Sequence, residues 1–251
     1  MFIEKSIVES VQTLQEGIFL IKVYAPSIAS MAKPGQFCNI KVSETNFPLL
    51  RRPFSVCDVE NDYIYFLFDI HGEGTKILSN KHKGDELELL GPLGKGFIYD
   101  GDYETAVIIA GGLGSAPFPF LTKKIPAGKK IISLVGARAK NLLVTYKLQN
   151  ISVATDDGSQ GFNGNVVEHL KSEFKNLGKN VRIFGCGPNA MLKGLQKYCN
   201  ENNIDCQISV ECAMACGFGI CQGCPIDSAD GESFLLVCKD GPVFNSNMVK
   251  L

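Results

Sequence analysis

Four cysteines near the C-terminal end of the 251-residue chain have the spacing of a metal-cluster site. Cys216, Cys221 and Cys224 follow the pattern C-x4-C-x2-C, and Cys238 follows after a longer gap. Plant-type proteins hold a [2Fe–2S] cluster with this spacing, because three thiolates on one loop wrap the cluster and a fourth closes it. The spacing favours an iron–sulfur cluster. Structural zinc, which more often uses two separate C-x2-C pairs, and disulfides are the alternatives, and Cys212 lies outside the pattern.

A second set of residues suits a phosphate-bearing aromatic cofactor. The segment Arg51–Val56 reads Arg-Arg-Pro-Phe-Ser-Val, so that Arg52 and Phe54 lie on one face of an extended strand. An arginine binds phosphate through charge-assisted hydrogen bonds, an aromatic ring packs on a heterocycle, and a serine hydrogen-bonds its edge. The Gly-Glu-Gly-Thr segment at 72–75 predicts a loop that opens a helix and faces an anion. Two such elements suit the pyrophosphate of FAD.

Two glycine-rich loops further along the chain are typical of dinucleotide binding. Gly111, Gly112 and Gly114 follow an apolar strand and continue as Gly-x-Gly-x-x-Pro, which is a departure from the full Gly-x-Gly-x-x-Gly pattern. Residues 185–188 form a second loop, Gly-Cys-Gly-Pro, after a later strand. Open parallel sheets bind ligands at the carboxyl ends of their strands, so the two loops predict a nucleotide site.

Residues 1–100 must supply the first cofactor site, and their pattern predicts a small antiparallel barrel. Short strand-like segments at 18–24, 36–42 and 63–68 are separated by Gly and Pro turns, with almost no helical periodicity.

Residues 101–209 have a different pattern. Apolar runs at 105–110, 130–135, 151–154, 181–184 and 206–210 are apolar on both faces, as a buried parallel sheet requires. Helical spacing of apolar residues lies between them, which predicts alternating strands and helices in a Rossmann-like sheet. Residues 210–251 are rich in Gly and Cys and have little room for a core, so they predict a small module that needs a metal, disulfides or a partner to fold. The fold class is therefore multi-domain, β followed by α/β.

Composition narrows the classes of function. The formal net charge of −1 argues against nucleic-acid binding. No apolar run approaches the ~20 residues that span a bilayer, and the first residues have no basic region before an apolar core, so we expect neither a membrane protein nor a signal peptide. The ten cysteines, crowded toward the C-terminal end, favour a reducing cytoplasm with a metal site over a secreted disulfide framework.

In this order, the three motif sets resemble the ferredoxin–NADP reductase superfamily with a C-terminal [2Fe–2S] module. Within it, the whole chain is similar to the electron-transfer subunits of dihydroorotate dehydrogenase B. The segments at 211–221, Glu-Cys-Ala-Met-Ala-Cys-Gly-Phe-Gly-Ile-Cys, and at 236–244, Leu-Val-Cys-Lys-Asp-Gly-Pro-Val-Phe, carry that closer similarity.

The resemblance implies FAD in domain 1–100, NAD(H) as a diffusible substrate in domain 101–209, and the cluster in module 210–251. It implies that FAD is contacted by Arg52, Pro53, Phe54, Ser55, Leu67, Phe68, Asp69, Gly74 and Thr75. It assigns the nucleotide site to Gly111, Gly112, Gly114, Gly185, Cys186, Gly187 and Pro188, with Cys186 near the nicotinamide. His71 is either a loop residue or a cofactor contact, and Arg138 either a surface cation or a ligand of a 2′-phosphate.

The resemblance also implies a partner and a reaction. Electrons pass between NAD(H) and an FMN-containing dihydroorotate dehydrogenase catalytic subunit, two copies of each chain forming the complex, in pyrimidine biosynthesis. The cofactors do this chemistry, so no catalytic acid, base or nucleophile is expected in this chain. The alternatives are a flavin reductase subunit with the same cofactors and another partner, such as a hydrogenase or a ferredoxin-dependent enzyme, and a zinc-bearing interaction module.

Overall fold

The computed structural model describes residues 1–45 and 47–251, and this part of the chain forms two large sheets and one small sheet. The first sheet is antiparallel with the order β4-β3-β7-β1-β2-β6-β5. Its strands are β1 (Phe2–Gln15), β2 (Ile18–Tyr24), β3 (Phe37–Lys41), β4 (Arg52–Ser55), β5 (Asp58–Glu60), β6 (Tyr63–Asp69) and β7 (Glu86–Leu93). The short helices α1 (Pro26–Ala29) and α2 (Glu73–Ser79) belong to the same half.

The first sheet curls so that strands from its two ends face each other. The ring of Phe54, on the edge strand β4, packs 6.3 Å from that of Phe66 and 5.8 Å from that of Phe68, both on β6. Apolar side chains from both ends therefore meet in one core, together with Ile21, Ile40 and Leu89. This arrangement agrees with the predicted antiparallel barrel.

The second sheet is parallel except at one edge and has the order β11-β10-β9-β8-β12-β13-β16. Its strands are β8 (Thr105–Gly111), β9 (Lys130–Ala137), β10 (Ile151–Thr155), β11 (Phe162–Asn163), β12 (Val181–Cys186), β13 (Asp205–Ser209) and β16 (Val243–Asn245). The helices between them are α3 (Phe118–Lys124), α4 (Val166–Glu173) and α5 (Asn189–Glu201). Every residue of β8 is buried, as its continuous apolar run predicts.

The C-terminal segment forms a three-stranded sheet and also extends the parallel one. Strands β14 (Pro225–Ser228), β15 (Phe234–Leu236) and β17 (Val249–Lys250) have the order β15-β14-β17. Between them in sequence, β16 pairs with β13, with Phe244 opposite Ile208. The predicted domain boundaries, at 100/101 and 209/210, stay predictions. Strand β16, from the C-terminal module, is part of the parallel sheet and so crosses the second boundary.

None of the helices in residues 1–45 and 47–251 has the length and apolar character needed to cross a membrane.

A buried carboxylate joins the two halves of the molecule. Asp58 on β5 has a side chain that is 2% exposed, and its two oxygens contact Lys123 Nζ at 3.1 Å and Lys147 Nζ at 2.9 Å. Lys147 also contacts Glu60, at 2.6 Å. Beside this network, the N–H of Phe120 donates to the carbonyl of Cys57 at 2.8 Å. The barrel and the parallel sheet are therefore held together by ion pairs and a main-chain bond.

We expect Asp58→Asn to lower the melting temperature by roughly 3–10 °C, because hydrogen bonds to charged groups contribute about 1.5–3 kcal/mol. The asparagine keeps the shape of the side chain but removes the charge that both lysines bind. Thermal melting followed by circular dichroism measures the change. Glu60→Gln is the matched control: Glu60 is 42% exposed, and exposed ion pairs contribute at most about 1 kcal/mol. Equal losses in the two variants would contradict the role of Asp58.

Candidate functional site

A cavity of about 320 Å³ lies where the barrel, the parallel sheet and the C-terminal segment meet. Most of the residues predicted to contact FAD line it from the barrel side: Pro53, Phe54, Ser55, Leu67, Phe68, Asp69 and Thr75. The strands explain this placement, because β4 and β6 face each other across the curled sheet. The cavity offers apolar rings, a hydroxyl and a carboxylate, which fits a flat heterocycle with polar edges.

Arg52 and Gly74, also predicted as FAD contacts, lie against each other at the edge of this cavity. A Cβ atom on Gly74 would lie 2.9 Å from Arg52 Nε, so only glycine lets α2 approach the guanidinium this closely. Arg52 Nη1 donates to the carbonyl of Leu50 at 2.5 Å. Thr75 Oγ1 accepts from the N–H of His71 at 2.8 Å and holds the loop before α2. The two phosphate-directed elements of the sequence are thus brought together.

Arg51, the neighbouring arginine, is directed elsewhere. Its guanidinium donates to the carboxylate and to the carbonyl of Glu88 on β7, the latter at 2.9 Å. Arg51 therefore pairs within the barrel and leaves Arg52 as the arginine beside α2.

The two glycine-rich loops pack directly on each other. A Cβ atom on Gly114 would lie 2.5 Å from Gly187 Cα and 2.4 Å from the carbonyl oxygen of Cys186. Residues 112–115 form a 3-10 turn after β8, and α3 begins only at Phe118, so the loop does not run straight into a helix. Gly111 ends β8 and also packs on the second loop, since a Cβ atom there would lie 2.8 Å from Pro188 Cδ, and Gly112 begins the turn. Their nucleotide contacts stay predictions.

Two residues of the predicted nucleotide site face the interior. A Cβ atom on Gly185 would lie 2.5 Å from Leu195 Cδ2 on α5, so this glycine serves close packing of the helix on the sheet. Cys186 is buried, and burial, with a smaller effect of the Glu211 charge, raises the pKa of its thiol well above its usual range. The Cys186 thiol is therefore neutral.

The four predicted cluster ligands form two pairs. The Sγ atoms of Cys224 and Cys238 are 3.1 Å apart, and the N–H of Cys238 donates to Cys224 Sγ at 3.4 Å. The N–H of Cys221 donates to Cys216 Sγ, also at 3.4 Å. Burial opposes ionisation of Cys216, but N–H donors from Cys221 and Phe218 hold its pKa at about 6, below its usual range. Backbone donors aimed at sulfur stabilise thiolates.

This donor set fits a two-iron cluster better than a single ion. Within residues 1–45 and 47–251, no three His, Cys, Asp or Glu side chains converge closely enough to hold one metal ion, as tetrahedral zinc requires. Two pairs of thiols match two irons. The ten cysteines are free thiols in this structure. The pairing of the four predicted ligands therefore favours a two-iron cluster.

The wall of the cavity also contains residues that the sequence analysis missed. Leu113 and Ala116 come from the first glycine-rich loop, and Glu211, Cys212 and Met214 from the segment that follows β13. That segment begins at the carboxyl end of a parallel strand. Because ligands bind at such strand ends, this position could have predicted that the segment lines the cavity. His71, left open by the sequence, also lines the cavity.

Two of these residues are ionisable, and burial raises the pKa of both. Burial, together with the nearby charge of Asp69, raises the pKa of Glu211. Burial and the neighbouring Cys224 raise the pKa of Cys212 to about 11. Burial therefore disfavours the charged form of both side chains.

Comparison with known proteins agrees with this geometry. Residues 211–250 match the iron–sulfur cluster binding domain of dihydroorotate dehydrogenase B. The dihydroorotate dehydrogenase B (NAD(+)) electron transfer subunit of Caldanaerobacter subterraneus subsp. tengcongensis is 42% identical over 218 residues, which is 84% of each chain. The subunit of the same name from Bacillus cereus is 34% identical over 96% of each chain.

The chain belongs to the family of dihydroorotate dehydrogenase B electron transfer subunits. The resemblance drawn from its motifs is confirmed.

Solved structures confirm the fold class of this family member. The structure of an NADH-dependent reduced ferredoxin-NADP oxidoreductase, described in the context of flavin-based electron bifurcation, superposes with a TM-score of 0.87 at 26% identity. The superposition covers 98% of this chain and 89% of that one. A ferredoxin NADP+ reductase from Neisseria gonorrhoeae with bound FAD and NADP superposes with a TM-score of 0.68 at 17% identity, over 79% of this chain and 91% of that one. At 17% identity, the similarity to the Neisseria gonorrhoeae reductase shows a shared fold only.

Arg52→Ala is expected to lose bound FAD during gel filtration, because it removes the cation beside Gly74 that we predict to bind a phosphate. Absorbance near the flavin maximum, divided by protein concentration, measures the loss. Arg51→Ala is the matched control, since it removes the adjacent arginine that pairs with Glu88, and it should keep its flavin. Stoichiometric flavin in Arg52→Ala would contradict the assigned role.

Proposed function

We propose that this chain passes electrons between NAD(H) and an FMN-containing dihydroorotate dehydrogenase catalytic subunit, through FAD and a [2Fe–2S] cluster, in pyrimidine biosynthesis. Family membership supports the reaction. One observation carries the route: the cavity wall is built from Glu211, Cys212 and Met214, and the cluster-binding pattern begins two residues later at Cys216. A flavin in the cavity and a cluster on the thiols would therefore be neighbours.

Each part of the chain has a defined task in this proposal. FAD, when bound, links nicotinamide, which exchanges two electrons, to the cluster, which exchanges one. Arg52 holds phosphate, Ser55 and Thr75 offer polar atoms, and Phe54 and Phe68 pack on the ring. Leu113 and Ala116 close the side toward the glycine-rich loops, where NAD(H) binds as a diffusible substrate. No side chain acts as acid, base or nucleophile.

The cluster loop has an exposed side that suits a docking partner. Cys221 is exposed, and the side chains of Phe218 and Ile220 beside it are 37% and 76% exposed. Cys224 and Cys238 are buried on the other side. Exposed apolar residues around a redox group are what a partner protein covers. We propose the FMN-containing subunit as that partner, with two copies of each chain and without nucleic acid or membrane.

A cytoplasmic location is part of the same proposal. It is supported by ten free thiols, because disulfides form and persist in oxidising compartments.

A second candidate is the same cofactor set serving another partner. The close superposition on a ferredoxin-NADP oxidoreductase favours this candidate over a zinc-bearing interaction module. Purification from native cells separates the two electron-transfer candidates, because either a dihydroorotate dehydrogenase catalytic chain or a different protein accompanies this chain.

Cys221→Ser is expected to stop electron delivery to the partner while NADH still reduces a dye at the flavin. The serine cannot supply a thiolate to the cluster, so transfer to the partner should fall by roughly 100-fold or more. Parallel assays of dye reduction and partner reduction measure the split. Cys199→Ala, which removes a buried thiol on α5, is the control and should affect neither. Loss of both activities in Cys221→Ser would mean that the cluster serves folding instead.

The complex with its native partner is expected to reduce orotate with NADH, with stoichiometric FAD and two irons and two acid-labile sulfides per chain. Comparing NADH with NADPH in the same assay tests Arg138, which is exposed after β9. A preference for NADPH that Arg138→Ala abolishes would assign this residue to a 2′-phosphate. A colourless protein containing zinc would contradict the proposed function.

A further inference from the structure

One side chain of the barrel reaches the cluster loop. Asn39 lies on β3, opposite Pro53 on β4 and Leu90 on β7. Its side chain is buried, at 1% exposure. Its Nδ2 donates to the carbonyl oxygen of Cys216 at 3.2 Å, across 177 positions of sequence. A strand that carries part of the cavity wall is thereby bonded to the main chain of a predicted cluster ligand.

The cluster loop lies tightly on this amide. Gly217 follows Cys216 and has a φ of +81°, and a Cβ atom there would lie 2.1 Å from Asn39 Nδ2 and 3.3 Å from Leu93 Cδ1. No side chain fits between the loop and β3. The Cys216–Gly217 peptide therefore has one position relative to the barrel, set by the Asn39 amide.

The carbonyl oxygen of the Asn39 side chain indicates that the stability of the core does not explain why an asparagine is buried here. Among the described residues, Asn39 Oδ1 is buried without a hydrogen-bond partner. An unsatisfied buried acceptor costs about 1–3 kcal/mol, and such groups are uncommon. Leucine, which has the same branching, would fill the site without this cost. The contribution of the amide therefore lies in its N–H donor to Cys216.

β3 also connects this contact to the flavin cavity. Phe37, two residues before Asn39 and on the same face of the strand, lines the cavity, as does Pro53, the β4 partner of Asn39. A single pair of strands thus holds the cavity on one side and the cluster loop on the other.

We propose that Asn39 is a positioning residue that fixes the cluster loop at a set distance from the flavin cavity. This inference rests on the proposed function. A cluster held by the four thiols would accept one electron at a time from a reduced flavin in the cavity, NADH being the source of the electrons. The rate of electron transfer falls with the separation of donor and acceptor, so the position of the loop would affect it.

The test uses the holoprotein and the variant Asn39→Leu. We expect FAD and iron content to be retained, the electron paramagnetic resonance spectrum of the reduced cluster to change, and cluster reduction after mixing with NADH to slow several-fold. A role in stability alone would lower the melting temperature and leave the spectrum and rate of the loaded protein as in wild type. That result would overturn the proposal.

A matched pair of glycines tests the same contact from the loop. Gly219 has a φ of +90°, close to that of Gly217, but a Cβ atom there meets Lys239 Cδ, at 2.8 Å, on a flexible side chain. Gly217→Ala and Gly219→Ala therefore strain the backbone alike, and only the first collides with Asn39. We expect Gly217→Ala to change the electron paramagnetic resonance spectrum and to slow reduction of the cluster by NADH. Both effects should be larger than those of Gly219→Ala.

A double-mutant cycle keeps the test valid if Asn39→Leu does not fold. In an Asn39→Ala background the space beside Gly217 opens, so the excess effect of Gly217→Ala should vanish. Additive effects would overturn the proposal. Wild-type protein whose cluster stays oxidised after NADH would overturn the proposed function itself. Normal wild-type reduction with an unchanged Asn39→Leu variant would overturn only the role of Asn39.

Discussion

The structure depends on how a short segment with almost no core of its own is held against two larger bodies. Residues 210–251 achieve this with main-chain hydrogen bonds. Strand β16 pairs with β13 of the parallel sheet, and the N–H of Ser246 donates to the carbonyl of Cys206 at 2.8 Å. On the barrel side, the N–H of Lys95 donates to the carbonyl of Gly241 at 2.5 Å. These backbone bonds act together with the packing of Val237 and Phe244 in the core of the parallel sheet.

This constraint explains why one cavity is shared by three parts of the chain. The barrel contributes aromatic rings, the parallel sheet contributes the ends of β8 and β13, and the C-terminal segment closes the remaining side. Asp58 and its two lysines hold the first two parts together from a different direction. The cavity wall at residues 211–214 then continues directly into the loop that carries Cys216, Cys221 and Cys224, and Cys238 joins Cys224 from beyond β15.

Much of the fold could be predicted from local pattern. The apolar runs at 18–24 and 105–110 correspond to β2 and β8, and the cysteine spacing identified the thiols that form two pairs. Strand β1, at Phe2–Gln15, was missed because register shifts interrupt it and much of it is exposed, so its alternation is weak. Strand β16 was missed because three residues carry no periodicity and their partner is distant in sequence.

The same reason separates the site residues that were predicted from those that were not. Arg52 and Thr75 lie in motifs readable within a few positions. Asn39 reaches the cluster loop only through long-range packing across 177 positions, which a single sequence does not encode in its spacing. Gly185 lies in a motif that the sequence showed, but in the structure it packs against α5. Glycine suits both close approach of a ligand and close packing of a helix, so the motif alone does not tell these two roles apart.

The pairing of Cys224 with Cys238, and of β16 with β13, has a consequence for biosynthesis. The first contact needs Cys238, the last of the four predicted ligands in the sequence, and the second joins β13 to residues that are translated well after it. During translation the barrel and the parallel strands can form while the ribosome still holds the last thiol. Iron and sulfide therefore have a complete set of ligands only after Cys238 has been translated and residues 238–245 have docked, so that cluster insertion follows formation of the parallel strands.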